Sequence, residues 1–278
     1  MRIAVIVPYY HGQKYIKHLC DMLRKNAKCL NQEDRMEAVF VNDSPQEMLE
    51  IDPEELPIPT KILKNEKNYG IHRSRVVGLQ NTTADCVMFL DQDDIIQENC
   101  IKSQLEKIGD ADFCVCMGEA LLEDGTRKPF YKNEKQLKAC LNLKVHYAYE
   151  NIIVSPGQVL LKRTSIPEEW ISCTFQRNGA DDHYLWLLLL ENGSRGAVNP
   201  EQLYTHVSTG NNTSMNGAEM CASKLELVER MRDKTTKRNC QMLTRRALYY
   251  ASDAKKIRTK LRFLDVILRR KWILFTVM

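Results

Sequence analysis

The stretch Cys86-Val87-Met88-Phe89-Leu90-Asp91-Gln92-Asp93-Asp94 decides the fold. Five apolar residues in a row, with no polar alternate, predict a strand buried on both faces, as in a parallel sheet. The run then breaks into three carboxylates within four positions. In α/β sheets ligands gather outside the carboxyl ends of the strands, near the point where strand order reverses.

Two earlier runs repeat this pattern. Residues 3–7 are apolar and end in Pro8-Tyr9-Tyr10; residues 38–41 end in Asn42-Asp43-Ser44-Pro45. Ile16, Leu19 and Leu23 recur at helical spacing between them, and Gly70 opens a helix carrying Val76, Val77 and Leu79. A Pro-rich connection (Pro53, Pro57, Pro59) leads to a short third strand at 61–63. Strands alternating with helices predict a Rossmann-like, mostly parallel sheet flanked by helices. Further on, 113–116 and 158–161 read as strands, and Glu123-Asp124-Gly125-Thr126 as a hairpin turn. Residues 180–191 read as a buried helix with Asp181 and Asp182 in its first turn. No GxGxxG or GxxxxGK[ST] occurs, which excludes a dinucleotide fingerprint and a P-loop.

With 278 residues, 44% hydrophobic and 27% charged, the chain is globular in composition; disordered, collagen-like and disulfide-miniprotein classes are excluded. The length suits one large domain with an appendage. The net charge of +4 conceals an asymmetry. Residues 221–278 carry 16 Lys/Arg against 5 Asp/Glu, leaving the rest at −7. Within 255–275, Ile257, Leu261, Leu264, Leu268 and Trp272 recur every three or four residues among Lys and Arg, the pattern of a cationic amphipathic helix on a membrane surface. The alternative is an apolar stripe packed on the body or on a second copy of the chain. Nucleic acid is disfavoured as a partner, because the body is acidic and the tail lacks interleaved aromatics. The ten cysteines show no CxxC pair, and several, including Cys86, Cys114, Cys116 and Cys173, lie in apolar runs. With no leader pattern at Met1 and no apolar run near roughly 20 residues, the chain is expected in a reducing cytoplasm, peripheral at the inner membrane face.

Each candidate residue has two readings. The acids at 91–94 repel one another unless a cation or hydrogen-bond donors sit among them; a hard divalent ion such as Mg²⁺ or Mn²⁺ takes such oxygens together with substrate phosphates. The plainer alternative is that Asp93 or Asp94 caps a helix starting near Ile95. Asp181 and Asp182 could supply a base for a hydroxyl, or merely favour a helix N-terminus. His206 could meet a metal or a phosphate, or be structural. Arg75, with His72 beside it, could face phosphate oxygens or solvent. Asp43 could accept from a nucleobase N–H or make an Asx turn. Tyr10 could stack on a base or pack on its loop.

Taken in order, Val7-Pro8-Tyr9-Tyr10, Val41-Asn42-Asp43-Ser44, Asn68-Tyr69-Gly70 with Arg75, Leu90-Asp91-Gln92-Asp93-Asp94, and Asp181-Asp182 strongly resemble the family 2 glycosyltransferases of GT-A fold, over roughly residues 1–210. The resemblance implies an inverting transfer of a sugar from a nucleotide-diphosphate donor, usually UDP-linked, to a glycan or lipid-linked glycan of the cell envelope or capsule. It implies that Pro8, Tyr10 and Asp43 hold the nucleobase and that Arg75 lies beside the base and phosphates. Asp91 would touch the ribose or a water on the metal, Asp93 would hold Mn²⁺ or Mg²⁺, and His206 would meet the diphosphate or metal. Asp182 would be the base, with Asp181 in place of the family's usual Glu. The implied layout is a catalytic domain at 1–215, with a nucleotide half at 1–110 and an acceptor half at 111–215, and a basic helical extension at 216–278. Two rivals are a nucleotidyltransferase, for which His11-Gly12-Gln13-Lys14 is a poor phosphate loop, and a non-catalytic glycan- or partner-binding domain.

Overall fold

The computed structural model of the chain describes residues 1–149, 151–210 and 216–251; the amphipathic segment at 255–278 lies outside these. The first half is built from β1 (Arg2–Tyr9), α1 (Gln13–Cys29), β2 (Arg35–Asn42), β3 (Thr60–Lys64), α2 (Ile71–Gln80) and β4 (Cys86–Phe89). Then come β5 (Ile95–Ile96), α3 (Cys100–Ile108), β6 (Phe113–Leu121) and β7 (Arg127–Pro129). The later part holds α4 (Glu134–Lys138), α5 (Leu143–Tyr149), β8 (Val159–Lys162), α6 (Glu168–Ser172), α7 (Asp181–Glu191) and β9 (Gly196–Val207). Two helices, α8 (Gly217–Met231) and α9 (Lys237–Ala251), follow.

One sheet runs through both halves in the order β3-β2-β1-β4-β8-β6-β9-β5, with β7 hairpinned onto β6. β3, β2, β1 and β4 are mutually parallel, as the apolar runs predict. β8 then enters antiparallel between β4 and β6. The alternation of β1 shows why its run is continuous. Ala4 and Ile6 pack with Val76 of α2 and Tyr184 of α7 on one face, while Ile3, Val5 and Val7 pack with Leu19 and Leu23 of α1 on the other. Every one of these is buried, so no polar alternate is tolerated.

Two local expectations are corrected. Ile95 opens no helix: Ile95 and Ile96 pair antiparallel with β9, and α3 begins at Cys100. Asp93 and Asp94 therefore cap nothing, and their alternative role falls away. Cys173 is exposed rather than core, although all ten cysteines are free thiols. The twelve-residue strand β9 is absent from the sequence-based reading. It contains Pro200, which cannot donate to a ladder. The register against β6 jumps from Asn199–Cys116 to Gln202–Met117, so Pro200 and Glu201 fall in an irregularity that leaves them out of the pairing.

α2 is seated unusually close to the sheet. A Cβ at Gly78 would lie 2.3 Å from Ile6 Cγ2 and 3.3 Å from Val41 Cγ2. Gly78→Val should therefore lower stability by about 1–3 kcal/mol in urea denaturation through overpacking; an unchanged midpoint would contradict this close approach.

Candidate active site

The polar ends of β1, β2 and β4 meet because their strands are neighbours. Asp43 N donates to Tyr9 O at 2.8 Å, and Leu90 N to Ile6 O at 2.9 Å. Gln92 then ties the β4 end to the β1 end: Tyr10 N donates to its Oε1 at 3.0 Å and its Nε2 donates to Tyr10 O at 2.8 Å. This double bond fixes the backbone of Tyr10 while its ring stays 48% exposed, edge-on to His11. His11 sits at φ 47°, a left-handed conformation uncommon outside glycine, and its N–H donates to Ser44 Oγ at 2.9 Å.

Asp43 makes no Asx turn; Asn42 does, accepting from Ser44 N at 2.8 Å. The buried Asp43 carboxylate instead accepts from Asn65 Nδ2 (2.7 Å), Tyr69 N (2.9 Å) and Gly70 N (2.8 Å), holding the loop before α2. Gly70 is required there: its φ is 88°, and a Cβ would stand 2.8 Å from Asn178 Oδ1.

Arg75 projects from α2 into the space between two strand-distant acids. Nη1 donates to Asp181 Oδ2 and Nη2 to Asp91 Oδ1, each at 2.6 Å, with the guanidinium side chain only 4% exposed. Burial disfavours its charge, but Asp181, Asp91 and Asp182 outweigh that and secure the cation. Burial likewise penalises the Asp181 carboxylate, and the Arg75 charge still holds it below the usual range. His72, three residues before Arg75, turns the other way: it bonds Trp170 O at 3.0 Å, accepts from Phe175 N at 3.0 Å, and burial lowers it to about 4. It is a neutral core residue.

Asp94 is a hub rather than a free acid. It is 1% exposed and bonds the Tyr204 hydroxyl, His206 Nδ1 (2.9 Å) and Val207 N (3.0 Å), pinning β9 across the site. Burial opposes a charge on His206, but Asp94, with Asp91 and Asp93 behind it, pushes its pKa up to about 9. Nδ1 is engaged by Asp94, which leaves Nε2 to meet a phosphate oxygen when the ring is charged or a metal ion when it is neutral. Asp182 Oδ1 accepts from His183 N and Oδ2 from Asn151 Nδ2, both at 2.7 Å. Burial and the neighbouring Asp181 charge raise it to about 7, against the pull of Arg75. Two adjacent carboxylates are thus driven apart by which of them Arg75 touches.

One cavity of about 630 Å³ is lined by Pro8, Tyr10, Asp43, Arg75, Asp91, Asp93, Asp181, Asp182 and His206, whereas the candidates His72 and Asp94 are not on its wall. The wall also includes residues the sequence reading left out, namely Asn151, Asn178 and, from the C-terminal helices, Met220, Lys224 and Tyr250. Lys224 Nζ lies over the Tyr250 ring at 5.2 Å. Asn151 and Asn178 sit in irregular segments without a periodic signal.

The donor set bears on whether a divalent cation fits. Among the described residues no three His, Cys, Asp or Glu groups surround a single point. Asp93, however, accepts from no other side chain among the described residues, and burial plus repulsion from Asp94 and Asp91 raises it to about 7. A half-buried carboxylate with surplus negative charge around it fits a Mg²⁺-type ion whose remaining ligands are waters and substrate phosphates.

The model of the family described as Glycosyl transferase family 2 matches residues 4–185, from β1 to just beyond Asp182. The chain belongs to this family. An uncharacterized glycosyltransferase, YwdF, of Bacillus subtilis (strain 168) is 26% identical over 134 residues, covering 46% of the family 2 chain and 47% of its own. An uncharacterized glycosyltransferase of Haemophilus influenzae is 28% identical over 101 residues, covering 36% and 32%. The chain thus spans half or less of the length of these curated relatives. Among solved structures, S. aureus TarS 1–349 in complex with UDP-GlcNAc superposes with a TM-score of 0.65 at 18% identity over 90% of this chain and 72% of that one. TarS 1–349 without that ligand gives 0.60 over 90% and 71%. At this identity the likeness concerns the fold, which is the GT-A arrangement the strand-end motifs imply.

Removing Arg75 should expose how much rests on it. Arg75→Met leaves the buried Asp181 and the half-buried Asp91 without their cation, a loss of roughly 3–5 kcal/mol. With Arg75 gone, nothing cationic opposes burial, which raises the Asp181 and Asp91 carboxyl pKa values, so the penalty stands above those raised values and is relieved as falling pH protonates the pair. The deficit of Arg75→Met should therefore be large at pH 8 and shrink toward pH 4 in denaturation experiments; a pH-independent deficit would contradict the bridge.

Proposed function

We propose that the chain is an inverting glycosyltransferase that moves a sugar from a nucleotide-diphosphate donor to a hydroxyl of a glycan. The observation that carries this reading is the shared cavity, in which the unpartnered Asp93 and the raised-pKa Asp182 flank the Arg75 bridge. A UDP-linked donor is supported by the TarS complexes with UDP-GlcNAc and with UDP.

The base moiety enters over Pro8 and the exposed Tyr10 ring, beside Asp43, whose carboxylate shapes the loop at 65–70. Asp93 would hold Mn²⁺ or Mg²⁺, which when bound supplies charge neutralisation to the leaving diphosphate. His206, cationic and anchored on Asp94, donates to a phosphate oxygen. Arg75 fixes Asp91 and Asp181 in place and keeps Asp181 charged. Asp182 takes the proton from the acceptor hydroxyl as that oxygen bonds to the anomeric carbon. The bond from the anomeric carbon to the phosphate oxygen breaks on the opposite face, and its electron pair leaves with the nucleoside diphosphate. A single in-line displacement of this kind inverts the anomeric centre. A carboxylic acid with a pKa of about 7 is well matched to a base working near neutrality.

The nucleotidyltransferase alternative has less support, because the loop after β1 carries Gln92 and Tyr10 contacts in place of a phosphate cradle. For the C-terminal region we propose attachment to an anionic membrane surface through 255–278, with a lipid-linked acceptor. Lys237, Arg238 and Arg245 are exposed on α9, a helix without acidic residues, and extend the same positive character. No helix among the described residues is long and apolar enough to cross a membrane.

A thermal-shift screen of nucleotide sugars with Mn²⁺, followed by transfer assays, identifies the donor. Asp182→Asn should then lower transfer roughly 100- to 10,000-fold while nucleotide affinity is kept; lost affinity would make Asp182 a binding residue. The wild-type rate should fall as pH drops below about 7, where Asp182 is protonated, and a rate flat down to pH 5 would contradict the assignment. Deleting 255–278 should weaken sedimentation with anionic liposomes, and the lost component should be the salt-sensitive one; unaltered sedimentation would favour packing on the body or on a second copy.

A further inference from the structure

The proposed base has a partner outside every motif discussed so far. Asn151 stands on the cavity wall two residues before Ile153, which is fully buried. The segment is tied on both sides: the Tyr131 hydroxyl donates to Ile152 O at 2.7 Å, and Val154 N donates to Gln158 Oε1 at 2.9 Å. From this fixed backbone Asn151 Nδ2 donates to Asp182 Oδ2 at 2.7 Å. The amide oxygen, Oδ1, is buried and has no hydrogen-bond partner among the described residues. Leaving a buried carbonyl unsatisfied is costly, so something must hold the amide in this orientation. The carboxylate does so, because turning the amide over would aim oxygen at oxygen.

Among the described residues, the charged groups that act on Asp182 are Asp181 beside it on α7, which opposes its ionisation, and Arg75 from α2, which favours it. Neither donates to it. Its two donors are the His183 backbone N–H and Asn151, so only Asn151 can be removed by substitution.

We propose that Asn151 is a positioning residue for the base: it locks the Asp182 carboxylate in one orientation on the cavity wall and favours its charged form there. This rests on the assignment of Asp182 as the base. A donor to the charged form lowers a carboxyl pKa, which is the direction in which Asn151 acts here.

The test is a carbon-13 NMR titration of aspartate-carboxyl-labelled full-length protein, with the Asp182 signal assigned by its absence in Asp182→Asn. The wild-type midpoint should lie near 7, and Asn151→Ala should move it upward by about one pH unit. The acid limb of the transfer rate should move with it, while donor KM stays constant. Asn151→Leu, close in size and without a donor, gives the same reading if the alanine variant is poorly folded. An unmoved midpoint in a folded variant overturns the role of Asn151 and leaves the base assignment standing. A moved midpoint together with full transfer by Asp182→Asn overturns the base assignment and the positioning role with it.

Discussion

The site depends on the bridge from Arg75 to Asp91 and Asp181. One buried guanidinium joins the end of β4 to the start of α7, elements that the chain separates by about 90 residues. Its planar fork can serve two carboxylates at once, which a lysine could not do with the same geometry. The bridge has a second effect. By neutralising Asp181, it leaves the adjacent Asp182 as the carboxylate that feels burial and a neighbouring negative charge without a cation of its own. A structural ion pair thereby sets the character of the residue next to it.

A similar division operates at the other acidic cluster. Asp91 is spent on Arg75, and Asp94 on Tyr204, His206 and Val207. Asp93 alone keeps an unengaged carboxylate, in a setting where burial and its neighbours disfavour a bare charge. Among the described residues, therefore, each end of the cavity has acids held in ion pairs and one that is not, Asp93 beside Asp91 and Asp94 at one end and Asp182 beside Asp181 at the other. A cation and a hydroxyl proton are the natural complements of the two that are not.

Much of this was legible in the sequence, for physical reasons. Strands buried on both faces leave continuous apolar runs, and their polar endings stand out against them; hence 3–10, 38–45 and 86–94 could be placed together on one sheet edge. Asp181 and Asp182 were legible because a helix start is marked locally. What failed involved tertiary context. Nothing local separates His72, turned into the core by Trp170 and Phe175, from Arg75 three residues later, turned to the cavity. The strand pairing of Ile95 depends on β9, which Pro200 disguises as loop. Asn151 acts through a single hydrogen bond from an irregular segment, and Lys224 and Tyr250 reach the cavity only because α8 and α9 fold back over it.

The central claim is that donor and base functions meet across the Arg75 bridge. Its most direct test is a crystal structure of the protein with a nucleoside diphosphate and Mn²⁺. The account predicts the ion on Asp93, the diphosphate within hydrogen-bonding reach of His206, and Asp182 facing the space beyond the terminal phosphate. A nucleotide seated elsewhere, or one whose diphosphate lies away from Asp93 with Asp182 cut off from it, would contradict the account.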